Sequence, residues 1–389
     1  MLKYQLWYAI IWTFILIIYF FNWSSFNSDL QSGLLFFLVT SIILSLLLSC
    51  LSKKVKVQKI IFKKRRKPVI TVLIWLLFIL DWLYQKRIPI FSEYQGYDPN
   101  GDIEVSVGIP GVHVILIVVS VFYAMYLGYI FMSDIHKKQY LLEFLSLLLA
   151  FILNNSRGYV IYSLLVFFIL FIAFNSDKIK NIKIHNLIIM VFIFFTIIFF
   201  ISIFGNIRSG YAWNDCSYIQ RIGKYDNYPQ WLTPHFMWFY TYATTPLANL
   251  NLNALYYHSN IDLSNIIYAF LPEQISKSYI TNNVNTLYNV EYLNANTGFS
   301  SFMCISGILG LFLAFLGIII YYSIIKFFLH KYVVLETFGN AVLCVMAMIF
   351  IFFNPFYASA FCYIPIFLII SSFYLYRKYK MNYILVEEI

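Results

Sequence analysis

Charge is what this chain has least of. Asp, Glu, Lys and Arg make up 11% of its 389 residues and hydrophobic residues 61%, against about 25% charged and 45–50% apolar in soluble domains. So few charges cannot build a water-facing surface, which excludes a soluble globular enzyme. The hydrophobicity also excludes a disordered chain, which needs the opposite balance. Cysteine is scarce as well. Cys50, Cys216, Cys304, Cys344 and Cys362 form no CxxC pair and no metal-ligand spacing. Four lie in apolar runs, where a small buried residue is the simple reading. Cys216 is alone in a polar loop, so no disulfide is expected there. A Walker A motif, a GxGxxG and an HExxH are all missing, so ATP-driven and zinc chemistry find no support and no cofactor is expected. There is no internal repeat of fixed period and no separable soluble domain.

What the chain does have is apolar length. Runs over about 4–21, 33–51, 69–84, 111–132, 141–153, 159–174, 187–204, 298–325, 335–353 and 358–376 approach or exceed the roughly 18–20 residues of a bilayer-spanning helix. The pattern predicts an all-α, polytopic membrane protein of about ten transmembrane helices. The first run lacks a small-residue cleavage site and a second span follows closely, so it is not read as a cleavable signal. The net charge of +10 does not indicate nucleic acid, because the basic residues cluster between the runs, where they set topology. Segment 52–68, with Lys53, Lys54, Lys56, Lys59, Lys63, Lys64, Arg65, Arg66 and Lys67, is the strongest inside signal. Alternating from it places both termini inside. Anchoring topology is the plain role for this segment, and binding anionic lipid is the other.

Three regions follow: an N-terminal bundle of about seven helices (1–204), a large external loop (205–297), and about three C-terminal helices with a tail (298–389). The loop is far longer than a connection requires and should carry short interfacial helices. Basic residues outside the inner face need a cause, since positive charge is disfavoured there. Arg157 stands in Asn154-Asn155-Ser156-Arg157-Gly158 between two apolar arms of about 13–16 residues, or roughly 20–24 Å of helix. Arms that short should leave the turn recessed in a ~30 Å core, where an Arg wants an anion. Its alternatives are snorkelling to headgroups or pairing with an acid such as Glu143. Arg208, in Gly205-Asn206-Ile207-Arg208-Ser209-Gly210, and Arg221 with Lys224, in Arg221-Ile222-Gly223-Lys224, carry the same choice between anion binding and interfacial anchoring. Glycine lets backbone amides approach a ligand, and Arg forks fit phosphate oxygens.

His235 lies in an aromatic stretch, Trp231 to Trp238, punctuated by Pro234 and Pro246. It is a candidate general base or a hydrogen-bonded structural histidine. Asp215, Asp226, Asp262, Glu273 and Glu291 are rival bases that read more simply as solvated loop charges. His258 and Asp262 have H-x3-D spacing, a match near chance. Asp98-Pro99-Asn100-Gly101-Asp102 reads as a turn. Gly307, Gly310 and Gly317 read as helix-packing positions.

Recessed arginines at a membrane–water boundary suit a lipid-linked pyrophosphate, a leaving group that fixed guanidinium charge can neutralise without metal. Asn, Tyr and Trp in 205–297 suit sugar faces and hydroxyls. The overall plan, with Ser156-Arg157-Gly158-Tyr159, Ile207-Arg208-Ser209, Tyr242 to Asn251, and Asn296 to Phe302 leading to Gly307 and Gly310, resembles the bacterial O-antigen polymerases of the Wzy type. The resemblance implies a multi-pass bacterial inner-membrane enzyme with a periplasmic active face and cytoplasmic termini. It would be a metal-independent glycosyltransferase of lipopolysaccharide biosynthesis. It would move the growing glycan from undecaprenyl pyrophosphate to the non-reducing end of a new undecaprenyl-pyrophosphate-linked oligosaccharide. A chain-length regulator, a flippase and membrane lipid would be its partners. On that resemblance Arg157, Arg208 and Arg221 hold pyrophosphate, Arg208 also acts catalytically, and His235 activates the acceptor. Relatives often carry an acid just before the glycine at 307. Ile305-Ser306 stand there in this chain, so no role is assigned. An O-antigen ligase uses the same donor chemistry. A lipid-linked oligosaccharide flippase would be equally polytopic, but more often has two related halves and short loops.

Overall fold

A computed structural model describes residues 2–53, 55–62, 67–92, 108–133, 137–176, 195–196, 198–207, 209–258, 262–276, 286–381 and 384–388. Apolar runs become helices because a backbone away from water must satisfy its own peptide groups. The helices of the first half are α1 (Tyr4–Tyr19), α2 (Ser32–Leu51), α3 (Val69–Gln85), α4 (Pro89–Ser92), α5 (Val112–Ser133), α6 (Lys137–Leu153) and α7 (Arg157–Phe174). Next come α8 (Ile198–Ile207), α9 (Ser217–Gly223), α10 (Phe236–Tyr256), α11 (Leu263–Ala269) and α12 (Glu273–Ser276). The chain closes with α13 (Ser300–Lys331), α14 (Glu336–Ile349), α15 (Ser359–Cys362) and α16 (Ile364–Lys380).

Among the described residues, four helices are long and apolar enough to cross a membrane: Ser32–Leu51, Val112–Ser133, Ser300–Lys331 and Ala360–Lys380. Tyr4–Tyr19, Val69–Gln85, Gly158–Phe174, Ile198–Ile207 and Glu336–Ile349 are apolar but only 10–17 residues long. Phe36, Leu47, Leu73 and Leu83 point outward from α2 and α3, as lipid-facing side chains do. The expected seventh run, 187–204, lies partly outside the described residues.

Two strands not foreseen in the sequence tie one end of the bundle together. β1 (Gln58–Phe62), inside the basic segment, pairs antiparallel with β2 (Ile384–Glu388), setting Lys59 opposite Glu387. Gln58 donates its N–H to Thr337 at the start of α14 and accepts from the Tyr129 hydroxyl near the end of α5. Lys3 Nζ donates to the carbonyls of Ser49 and Ser52. The start of α1, the end of α2 and the chain terminus therefore share one end, here called the basic end.

α14 is the centre. Nearly every residue from Glu336 to Ile349 is buried, against α1, α7 and α13. It is short, at 14 residues or about 21 Å, and non-helical backbone completes its far end. Gly298 donates to the Phe350 carbonyl and Asn354 Nδ2 to the Ala269 carbonyl. α13 is kinked where Gly307, a buried residue, takes φ +59, so Gly307 is a conformational break as well as a buried position. Ser306 at the break accepts the Asp262 N–H at 3.1 Å. Gly310 and Gly317 do pack closely, since a Cβ there would strike the Phe302 carbonyl or the Phe270 ring.

The 205–297 region differs most from expectation. Its main helix, α10, is 21 residues long and largely buried, packed on α1, α9 and α13, where short interfacial helices were expected. Threonine, asparagine and proline favour helices poorly, so tertiary contacts hold it. Asn249 Nδ2 donates to the carbonyls of Leu293 and Ala295, and its Oδ1 accepts from the backbone and side-chain amides of Asn289. Asn253 holds Leu287 the same way, and Asn251 holds Ser28, Asp29 and Gln31. Replacing Asn249 by Ala leaves these loop groups unpaired at about 1–3 kcal/mol for a buried group. Asn249→Ala should lower the unfolding temperature in detergent and expose 286–297 to protease; unchanged proteolysis would argue against the clamp.

Candidate active site

His235 precedes α10 as its N-cap. The ring is half-buried, and its Nδ1 lies 2.7 Å from Ser202 Oγ and 3.7 Å from Cys216 Sγ. The edge-to-face ring of Phe199, centroid at 4.7 Å, fixes its plane. Burial lowers the imidazole pKa below its ordinary 6.5, so the ring is neutral at neutral pH. With Phe195, Thr196, Ile198, Phe199, Thr233 and Phe236 it lines a cavity of about 300 Å³. Such a mostly apolar hollow with one polar edge is the usual form of a small-ligand site.

Behind the imidazole stand groups that sequence reasoning missed. Ser202 and Asn206, both on α8, are fully buried. Asn206 Nδ2 donates to the Trp213 carbonyl at 3.0 Å and to Cys216 Sγ at 3.5 Å, while its Oδ1 accepts from Trp238 Nε1 at 2.6 Å. Cys216 is thus a buried member of the cluster. The only local signal was a cluster of polar residues at the end of an otherwise apolar run. Gly205 makes room for the Trp238 indole and Gly223 for the Tyr225 ring, which corrects the expectation that these glycines admit a ligand.

The expected arginines are distributed as follows. Arg208 lies outside the described residues. Arg157 opens α7, and its side chain lies outside what the structure describes. Arg221 is exposed in the last turn of α9, and its Nη2 donates to the Tyr211 hydroxyl at 3.4 Å. α9 packs on α10, which brings Arg221 to the His235 side, whereas α7 packs on α5, α6 and α14. The arms around the Arg157 turn are 17 and 18 residues, about 26 Å each, longer than the roughly 13–16 residues from which a recessed turn is expected. Glu143, the alternative partner of Arg157, sits towards the other end of α6. It takes the Thr71 hydroxyl, the Tyr123 hydroxyl and the Gln139 amide. Lys224 reaches over the Phe26 ring at 5.3 Å. Asp262 caps α11 through the Asn265 and Ser264 donors, which lower its pKa. It therefore reads as a helix cap. The 98–102 turn lies outside the described residues.

A second imidazole sits in the α3–α5 pair. Asp81, alone as an acid in its run and fully buried, accepts from His113 Nδ1 at 2.7 Å, the Ile109 N–H at 2.8 Å and Gln85 Nε2 at 3.0 Å. Gly108, at φ +79, lets the backbone pass over the pair, where a Cβ would collide with both side chains. The adjacent Trp82 donates to Asn154 of the Arg157 turn at 3.4 Å. No family model matches the chain, and neither a curated protein nor a solved structure matches it.

Three donors aimed at one buried carboxylate make Asp81 a fastening for the start of α5. Asp81→Ala leaves them unpaired. It should cost about 1–3 kcal/mol, seen as a lower thermal midpoint of the purified protein. An unchanged midpoint would show the pair to be dispensable for folding.

Proposed function

We propose that the chain is a membrane glycosyltransferase that polymerises lipid-linked oligosaccharide repeat units at the outer face of a bacterial inner membrane. The observation that carries this reading is the half-buried imidazole edge, its basicity lowered by burial, on an apolar cavity of about 300 Å³, in a chain with several bilayer-length apolar helices. An apolar hollow suits the isoprenoid chain of a lipid carrier, and a polar edge suits its oxygen-rich head. The motifs that resemble the O-antigen polymerases add the reaction.

In that reaction an acceptor hydroxyl oxygen forms a bond to the anomeric carbon of the donor glycan, and the bond from that carbon to the phosphate oxygen breaks. The electron pair leaves with undecaprenyl pyrophosphate, and the hydroxyl proton passes to water. Developing charge on the leaving group needs fixed cations and donors, which act most strongly where water is scarce. Arg157, Arg208 and Arg221 are the cations assigned to this task, and His235 is the group beside the reacting head. Both termini then face the cytoplasm, together with the basic end.

The test is a gel of surface polysaccharide from a deletion strain complemented with variants. Loss of a polymerase leaves single-unit caps, whereas loss of a ligase or flippase leaves bare core, an outcome that would overturn the reading. Arg157→Ala, Arg208→Ala and Arg208→Lys should each abolish the ladder, Lys because it lacks the bidentate fork. A full ladder from Arg157→Ala would remove that residue from the anion site.

A further inference from the structure

We propose that His235 meets its substrate as a hydrogen-bond donor at Nε2, and that Ser202 and Cys216 are positioning residues that hold the ring in that tautomer. The role of His235 towards a lipid-linked diphosphate rests on the function proposed above, whereas the tautomer does not. The sequence leaves His235 as either a general base or a structural histidine, and the hydrogen-bond directions around the ring favour a donor role instead.

An indole N–H only donates. Trp238 Nε1 at 2.6 Å from Asn206 Oδ1 therefore fixes which way the Asn206 amide points. Its Nδ2 must face the Trp213 carbonyl and Cys216 Sγ, and the carbonyl, which only accepts, agrees. The thiol thus accepts from Asn206 and has its own S–H to give. The neighbours placed to take it are Ser202 Oγ at 3.8 Å and His235 Nδ1 at 3.7 Å. Ser202, fully buried, then directs its hydroxyl to Nδ1 at 2.7 Å. Each group passes one hydrogen forward, from Trp238 through Asn206, Cys216 and Ser202 to the ring.

The opposite tautomer breaks this sequence. With the proton on Nδ1, Ser202 would accept from the ring and turn its hydroxyl to Cys216. The sulfur would then accept twice, and its S–H would have no acceptor in the cluster. A buried donor without a partner is disfavoured. In the favoured arrangement the ring's only hydrogen is on Nε2. No described residue hydrogen-bonds that nitrogen, and the ring that carries it lines the cavity, which leaves Nε2 as the atom for a ligand to meet. Lowered basicity keeps the ring neutral, so the substrate meets an N–H dipole. A hydrogen bond to the departing phosphate oxygen stabilises charge as the C–O bond breaks and requires no proton to move.

The experiment has two arms. Protein labelled with 15N at histidine and reconstituted in lipid reports the tautomer, with the His235 signals assigned by their loss in His235→Gln. Nε2 should be protonated and Nδ1 bare at neutral pH, and Ser202→Ala should shift His235 towards the other tautomer while Cys216→Ser does not. A protonated Nδ1 in the native protein overturns the proposal. In the second arm, glycan extension is measured for His235→Ala and His235→Gln. Glutamine sets an amide N–H near the Nε2 position but cannot act as a base. Loss of one such donor costs about 10²–10³ in turnover. Alanine should show that loss, and glutamine should recover to within about tenfold of native. Glutamine as inactive as alanine overturns the donor role. If the native protein extends no glycan but shows protonated Nε2, the function falls and the tautomer stands.

Discussion

Irregular backbone packed against other elements has to find its hydrogen-bond partners in the protein, because an unpaired peptide group cut off from water is costly. In this chain three asparagines on one helix meet much of that demand. Asn249 and Asn253 bind the 286–297 strand of chain, and Asn251 binds the 28–31 connection between α1 and α2. An asparagine amide offers donors and an acceptor on a short stem, so it can imitate a missing peptide partner. α10 is thereby held on both sides, and its first turn fixes where His235 stands.

The same constraint explains why so much of the bundle was readable and the site was not. Apolar runs at 33–51 and 69–84 correspond to Ser32–Leu51 and Val69–Gln85, because hydrocarbon length leaves a strong one-dimensional signal. α10 leaves none. Its Thr, Asn and Pro content argues against a long helix, and the contacts that stabilise it come from distant residues, 34 positions away at Leu287 and 220 at Gln31. The β1–β2 pair was hidden in a segment dominated by lysine, and its partner is the chain terminus. Asp81 was visible as an acid in an apolar run, but its partner His113 lies across a connection of acidic and polar residues. Ser202 and Cys216 carried no chemical signal until folding set them beside an imidazole.

His113 and His235 are both anchored through Nδ1, with different consequences. His113 gives Nδ1–H to a carboxylate that every neighbour also donates to. Its Nε2 is then left without a hydrogen in the neutral ring, which is the arrangement that orients a base. Tight enclosure by Gly108 and Ile109, however, fits a fastening for the start of α5. His235 has no carboxylate behind it among the described residues. A hydroxyl and a thiol, both able to donate, occupy that position. The atom behind a histidine thus decides what the atom in front can do.

That difference bears on how a glycan could be transferred without metal. A diphosphate ester is already a good leaving group, so the demand on the protein is less to remove a proton than to meet charge appearing on oxygen. Guanidinium groups meet it at long range, and a neutral N–H meets it at one atom. Neutrality matters in an apolar cavity, since a permanent imidazolium would carry a desolvation cost that an uncharged donor avoids. A ring with lowered basicity, a fully buried hydroxyl behind it and phenylalanine at its edge is built to remain neutral. For the glycan transfer proposed above, such a cluster would favour stabilising a departing anion over abstracting a proton, and the acceptor hydroxyl would lose its proton late, after bond formation to the anomeric carbon has acidified it.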